Sequence, residues 1–185
     1  MKKFLVVFLL LGVFFKGNSQ QTSVEKSIFG IQVGLLGIYG FNEFRLTNPF
    51  ALRVELGLEG GIEINSNETV FALAPVIAVE PRWYYNLNKR VKKSRRIDHN
   101  SGNFISLYTR YHPNWFVLAN DDVEVISDVS FIPTWGIRRN IGKHFNYEAG
   151  MGIGYAYIFY NNYDDYLDNE GEVAVNLLLR IGYHF

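Results

Sequence analysis

From Phe29 to the last residue, the chain alternates apolar side chains with polar or small ones at a period of two. That period belongs to β-strands, whose successive side chains point to opposite faces. Phe29, Ile31, Val33 and Leu35 alternate with Gly30, Gln32 and Gly34, and Phe44 and Leu46 with Glu43 and Arg45. After the turn-forming "TNP", Leu52, Val54, Leu56 and Leu58 alternate with Arg53, Glu55, Gly57 and Glu59. Beyond the polar "INSNETV", Phe71, Leu73, Ile77, Val79, Trp83, Tyr85 and Leu87 alternate with Ala72, Ala74, Ala78, Glu80, Arg82 and Asn86. The second half repeats the scheme. Ile105, Leu107, Tyr111 and Trp115 oppose Ser106, Tyr108, Arg110 and His112, and Val129, Phe131, Trp135 and Ile137 oppose Ser130, Thr134, Gly136 and Arg138. Tyr147, Met151, Ile153, Tyr155 and Tyr157 oppose Glu148, Gly150, Gly152 and Gly154. The closing "VAVNLLLRIGYHF" runs from Val173 to Phe185 with one face wholly apolar. No amphipathic helix and no second domain are expected. Residues 28–46 read either as one long strand or as two broken near Gly37–Gly40, giving seven strands or eight. Two strands of about nine residues fit the ~9–11 that cross a bilayer, and bacterial membrane barrels have even strand counts. The expectation is therefore eight.

The N-terminus limits where such a chain works. "MKKFLVVFLLLGVFFKGNSQ" carries two lysines, an apolar run from Phe4 to Phe15, then small and polar residues. This is the pattern of a secretory signal peptide, too short to span a membrane. Residues 1–19 form the expected signal, with cleavage after Ser19, and residues 20–185 the barrel domain. Removing Lys2, Lys3 and Lys16 leaves 15 basic against 18 acidic side chains, a near balance that gives no bias toward nucleic acid. Without cysteine, disulfides and thiolate chemistry are excluded despite export. Nothing after the signal approaches the ~18 apolar residues of a membrane helix, so a membrane location requires a closed barrel.

Alternation alone does not say which face points inward. A soluble, lipocalin-like barrel would turn its apolar face in around a ligand and mix Lys with Glu on its outer surface. Here Lys26, Lys89, Lys92, Lys93 and Lys143 all fall at strand ends or turns. The polar face carries Arg45, Arg53, Arg82, Arg110, Arg138 and Arg180 with Glu43, Glu55, Glu59, Glu80 and Glu148, and Gly or Ala fills much of the rest. Guanidinium groups suit a crowded polar interior because one can bond several carboxylates. An eight-stranded barrel is just wide enough for side chains to fill. Trp83, Tyr85, Trp115, Tyr155, Tyr157 and Tyr183 lie toward strand ends, where membrane girdles sit. The fold class expected is thus an all-β, eight-stranded antiparallel transmembrane barrel with a filled polar lumen.

The terminal strand, ending in Phe185 with Tyr183 two residues earlier, resembles that of small outer-membrane β-barrel proteins of Gram-negative bacteria. More narrowly, "NEFRL", "RVELGL" and "EPRWYYNLNKR" resemble a Bacteroidota-type outer-membrane barrel family. The resemblance covers essentially the whole mature chain and implies location and fold rather than an activity. It implies that Tyr183 and Phe185 are read by the barrel-assembly machinery. It further implies a monomer whose partners are outer-membrane lipid and lipopolysaccharide, with no cofactor.

Four features are candidate sites. The eleven charged residues of the polar face read as a structural ion-pair network, with a gated narrow pore as the alternative. "NKRVKKSRRIDHN" concentrates Lys89, Arg90, Lys92, Lys93, Arg95 and Arg96 in a turn that strand parity places on the periplasmic side. It reads as a solvated, mobile turn, or as a contact for anionic headgroups or a periplasmic polymer. "NNYDDYLDNEGE" gathers Asp164, Asp165, Asp168, Glu170 and Glu172 in an outer loop without the spacing of a calcium-binding hand, so no metal site is assigned. "DHNSGN" sets His99 two residues before Ser101, a spacing that resembles the lipid A deacylases, but on the wrong side for lipid A and with no following Glu. The function expected is non-catalytic: envelope structure, or surface interaction through the outer loops. The alternatives are a lipid A-modifying enzyme, a small pore and a soluble periplasmic ligand binder.

Overall fold

The structure, a computed structural model, describes residues 22–64, 69–120, 125–160 and 168–185. The signal segment, Asp164 and Asp165 lie outside the described residues. The strands are β1 (Ser27–Gly34), β2 (Gly37–Arg45), β3 (Phe50–Ile64), β4 (Thr69–Trp83), β5 (Asn103–His112), β6 (Leu118–Ala119), β7 (Asp128–Ile141), β8 (Phe145–Ile158) and β9 (Glu170–His184). Residues 28–46 therefore form two strands. All pairings are antiparallel, and β9 returns to β1 with Tyr183 opposite Ile31 and Ile181 opposite Val33. The two-residue β6 pairs only with β4, extending the wall, and the other eight strands close an antiparallel barrel. The β1–β9 seam that closes the barrel runs from Gly30 to Gly34 opposite Arg180 to His184.

The pleat sorts the side chains as the period of two requires. In β9 Val175, Leu177, Leu179 and Ile181 are exposed on the outer wall, while Ala174, Asn176, Leu178 and Arg180 are buried. The outer wall is apolar in every barrel strand, with Phe29, Ile38, Leu56, Val79, Ile105, Phe131, Met151 and Leu177 all exposed. Pro81 and Pro133 also sit on this wall, and the β4–β5 and β7–β8 ladders each skip the positions beside them. Having no N–H, proline can donate nothing to a ladder.

Both described chain ends, the 46–49 and 142–144 turns and the 84–102 connection lie at one end of the barrel, the terminal end. That connection is where the structure departs from sequence expectation. It contains α1 (Leu87–Lys92) and a 3-10 turn (Asp98–Asn100), short helical pieces beyond that expectation, while residues 91–96 are exposed to solvent as expected. A six-residue helix is too short to show a period, and it is held by burial of Leu87 against Val24, Tyr84 and Phe104. α1 ends in a Schellman motif: Arg95 N–H donates to the Arg90 carbonyl at 2.9 Å and Ser94 N–H to that of Val91 at 2.9 Å. Ser94 takes the left-handed conformation this requires, φ 53°.

Candidate functional site

Inside the barrel, Arg53, Arg82, Arg138 and Arg180 meet Glu43, Glu55, Glu80 and Glu148, and all eight are buried. The charges balance four against four. Arg82 on β4 lies at the centre: Nη2 donates to Glu80 Oε2 at 2.7 Å and to Glu148 Oε2 at 3.0 Å, and Nη1 to Glu148 Oε1 at 3.1 Å. Arg53 bonds Glu55 and reaches Glu148 Oε1 at 3.2 Å, while Arg138 Nη1 donates to Glu43 Oε2 at 3.1 Å. Arg180 grips both Glu55 oxygens at 2.7 and 2.9 Å. These pairs join β2, β3, β4, β7, β8 and β9 across the barrel axis. A buried charge is tolerated only with such partners.

Neutral groups complete the arrangement, none of them among the candidate site residues. Tyr84 OH donates to Glu43 Oε1 at 2.9 Å, Asn100 Nδ2 to the same oxygen at 2.5 Å, and Ser106 Oγ to Glu80 Oε1 at 2.6 Å. Gln32 accepts from Arg53 Nη2 at 2.5 Å and donates to Asn146 Oδ1 at 2.9 Å. The Arg53 guanidinium also stacks 3.8 Å over the Phe41 ring, Arg82 4.3 Å over Phe104 and Arg180 3.9 Å over Tyr39. Glycine makes room for two of these rings. A Cβ on Gly30 would stand 2.9 Å from Phe41, and one on Gly136 2.9 Å from Cε2 of Phe104. Parity was the available signal: Gln32, Phe41, Tyr84, Phe104, Ser106 and Asn146 share the face of the charged residues.

Two of the six arginines and one of the five glutamates lie apart from this network. Arg45 Nε donates to the Val24 carbonyl at 2.7 Å, pinning the segment before β1 across the terminal end. Arg110 and Glu59 pair at 2.6 Å toward the opposite end, where His112 Nδ1 lies 2.7 Å from Asp128 Oδ2. Ala78, Tyr108, Ile132 and Ala174 form a buried cluster beside the network, where Tyr108 OH accepts from Arg180 Nη2 at 3.2 Å and donates to Glu55 Oε2 at 3.3 Å. At the terminal end Val24, Ala51, Leu87 and Leu178 form a second cluster with Tyr84 and Phe104. Tyr183 and Phe185 face outward, and Phe185 stacks on Phe29 at 5.5 Å while its N–H donates to the Phe29 carbonyl at 3.0 Å.

The six basic residues of the connection divide. Lys89, Arg90, Lys93 and Arg95 line a cavity of about 500 Å³, joined there by Arg139 from β7. Lys92 is exposed outside it, and Arg96 turns away to Asp98, with contacts of 2.5 and 2.9 Å. The Arg96 hydrogen bonds, aided by Asn140, hold the Asp98 carboxyl down at about 2. A group lowered from 3.8 to about 2 on folding adds stability that is whole above pH 4 and is lost as pH falls through 2. The pair is more than a third exposed, so the gain is below ~1 kcal/mol after solvent screening. Asp98→Asn should lower the melting temperature slightly at pH 7, and the gap should close between pH 4 and pH 2 in thermal scans.

His99 and Ser101 do not bond one another. Ser101 Oγ lies 3.4 Å from Arg90 Nη2 and 3.5 Å from the Arg138 carbonyl, while His99 Nδ1 faces Asp98 Oδ2 at 3.6 Å. The His99 ring packs 3.8 Å from that of His184. Of the acidic outer loop, Asp168, Glu170 and Glu172 are described, and all three are exposed. No group of three acidic or histidine side chains spaced for a metal ion occurs among the described residues. Comparison of the chain with protein-family models, with curated proteins and with solved structures gives no match.

Proposed function

We propose that this chain is a non-catalytic integral outer-membrane protein, contributing to envelope structure and holding its outer loops at the cell surface. The observation that carries this reading is the inversion of the barrel. Its outer wall is apolar on all eight strands, while four arginines and four glutamates are buried and paired within. In water such a wall would be far larger than the few hundred Å² of contiguous apolar surface that soluble monomers expose. Against hydrocarbon it is the stable arrangement, because a closed barrel satisfies every ladder group internally. The polar, side-chain-filled lumen then serves as a structural plug, and the terminal end faces the periplasm. The position of Tyr183 and Phe185, outward at the β1–β9 seam, suits a segment recognised during insertion.

The test is electrophoresis of the outer-membrane fraction from cells expressing the whole precursor, with and without boiling. A heat-dependent shift in mobility is expected. A soluble periplasmic protein without a shift would overturn the reading. For the non-catalytic part, deletion should sensitise the envelope to detergent and leave lipid A unchanged; altered lipid A acylation would instead reveal an enzyme.

A further inference from the structure

We propose that the basic cavity at the terminal end seats the phosphodiester headgroup of an anionic phospholipid, whose acyl chains run along an adjoining groove on the barrel wall. This rests on the reading of the outer wall as lipid-facing and assigns a specific site to it. Lys89, Arg90, Lys93, Arg95 and Arg139 converge on one cavity of about 500 Å³, and no carboxylate lines it. Among the described residues none of the five forms an ion pair. Asp98, the carboxylate closest in sequence, is taken by Arg96 and Asn140. Gathering five cations around a cavity that no carboxylate lines costs repulsion that an entering anion relieves. At Arg90 burial lowers the pKa first, and the like charges of Arg139 and Arg95 lower it further against a smaller opposing pull from Asp98.

The site is held in shape. Arg139 Nη1 donates to the Gly102 carbonyl at 2.7 Å and Nη2 to Asn103 Oδ1 at 2.6 Å, while Arg90 Nε and Nη2 donate to the Arg96 carbonyl at 3.0 and 2.7 Å. The Schellman motif at Ser94 turns Arg95 back beside Lys93. Two guanidinium groups are thus fixed, and the exposed Lys89, Lys93 and Arg95 are left to close on a ligand. Guanidinium is the group best matched to phosphate oxygens.

A phospholipid, rather than free phosphate, fits what lies next to the cavity. Tyr85 lines it, and its hydroxyl accepts from the Trp135 indole at 2.9 Å. Beyond Trp135 an apolar groove of about 560 Å³ runs along the outer wall between Ile105, Met151, Ile153 and Val175. The charged cavity and the apolar groove meet at these two aromatic rings, in the order a lipid presents its headgroup and tails. Trp and Tyr favour that boundary, each having one apolar and one polar end.

The test uses the full chain, purified in zwitterionic detergent, with short-chain phosphatidylglycerol, phosphatidylcholine and inorganic phosphate as separate probes. Phosphatidylglycerol should bind at least 10-fold more tightly than phosphatidylcholine. Lys89→Gln/Lys93→Gln/Arg95→Gln should weaken it about 10- to 100-fold, about 0.5–0.9 kcal/mol per charge. All three side chains are exposed, so the fold should persist, which the heat-dependent shift checks. Lys26→Gln/Lys92→Gln, outside the cavity, should change nothing. Trp135→Ala should weaken the lipid and leave phosphate binding as it was. Equal binding of the two lipids, or an unaffected triple variant, would overturn the site. Phosphate binding as tight as the lipid would overturn the lipid as its ligand. Loss of the heat shift in the unaltered protein would instead fault the membrane reading itself, a separate readout.

Discussion

Arg82→Ala is expected to remove about 3–5 kcal/mol of stability, measured by denaturant titration of the folded barrel in detergent. Arg82 is wholly buried and bonds Glu80 and Glu148 directly, with Glu43 at 3.4 Å. Truncation strands three carboxylates where Arg53 and Arg138 reach only some of their oxygens. The energy lost is mainly the penalty of those stranded charges, not the net value of the pairs. The double variant Arg82→Ala/Glu148→Gln should therefore be more stable than Arg82→Ala alone, because it removes one of the stranded charges. Arg82→Lys should fall between, keeping the charge and losing the two-pronged contact with Glu148. A loss below ~1 kcal/mol would mean that water already reaches the carboxylates. In that event single-channel recording of Arg82→Ala would become the decisive measurement, since a wet interior is the first requirement of a pore.

Leu177→Arg carries the second large effect. Leu177 stands midway along β9 with its side chain 59% exposed, between Val175 and Leu179 on the same face. At the midplane of a bilayer an arginine there costs about 2–4 kcal/mol, whereas the same change on a water-facing wall falls within about 0.5 kcal/mol. Val173→Arg, nearer the end of the strand, should cost only about 0–1 kcal/mol in lipid. Unfolding measured in bilayers should thus reveal a dependence on depth. A flat, near-zero response at both positions would place the wall in water and turn attention to a partner that covers it.

The barrel was legible because one physical rule, alternation, acts at every strand residue and survives the loss of all long-range information. Glu43, Arg53, Glu55, Glu80, Arg82, Arg138, Glu148 and Arg180 could be put on one face by parity alone. Which of them would meet could not, because register is set by pairing between strands far apart in sequence. Arg45 and Arg110 share the face of Arg53 and Arg82 but lie at different heights along the axis, which no local pattern encodes. The neutral partners Gln32, Tyr84 and Asn146 lie on the same face but carry no charge to set them apart there. The short helix in the basic connection was hidden for another reason. Its order comes from tertiary burial of Leu87 and from a left-handed serine, and neither leaves a periodic signal.

The interior ion pairs also bear on how the barrel is made. Glu55 and Arg180 are separated by 125 positions in the chain, and Arg53 and Arg82 reach Glu148 over 95 and 66. None of these bonds can form in a partly assembled sheet of the first few strands. An intermediate holding β1–β5 would carry Arg53 and Arg82 without Glu148, and Glu55 without Arg180. Such a sheet is costly in hydrocarbon until its last strand arrives, so the final pairing of β9 with β1 completes the wall and neutralises the interior in one event. Assembly should then be cooperative, with half-built barrels either waiting in a polar environment or being cleared by proteases.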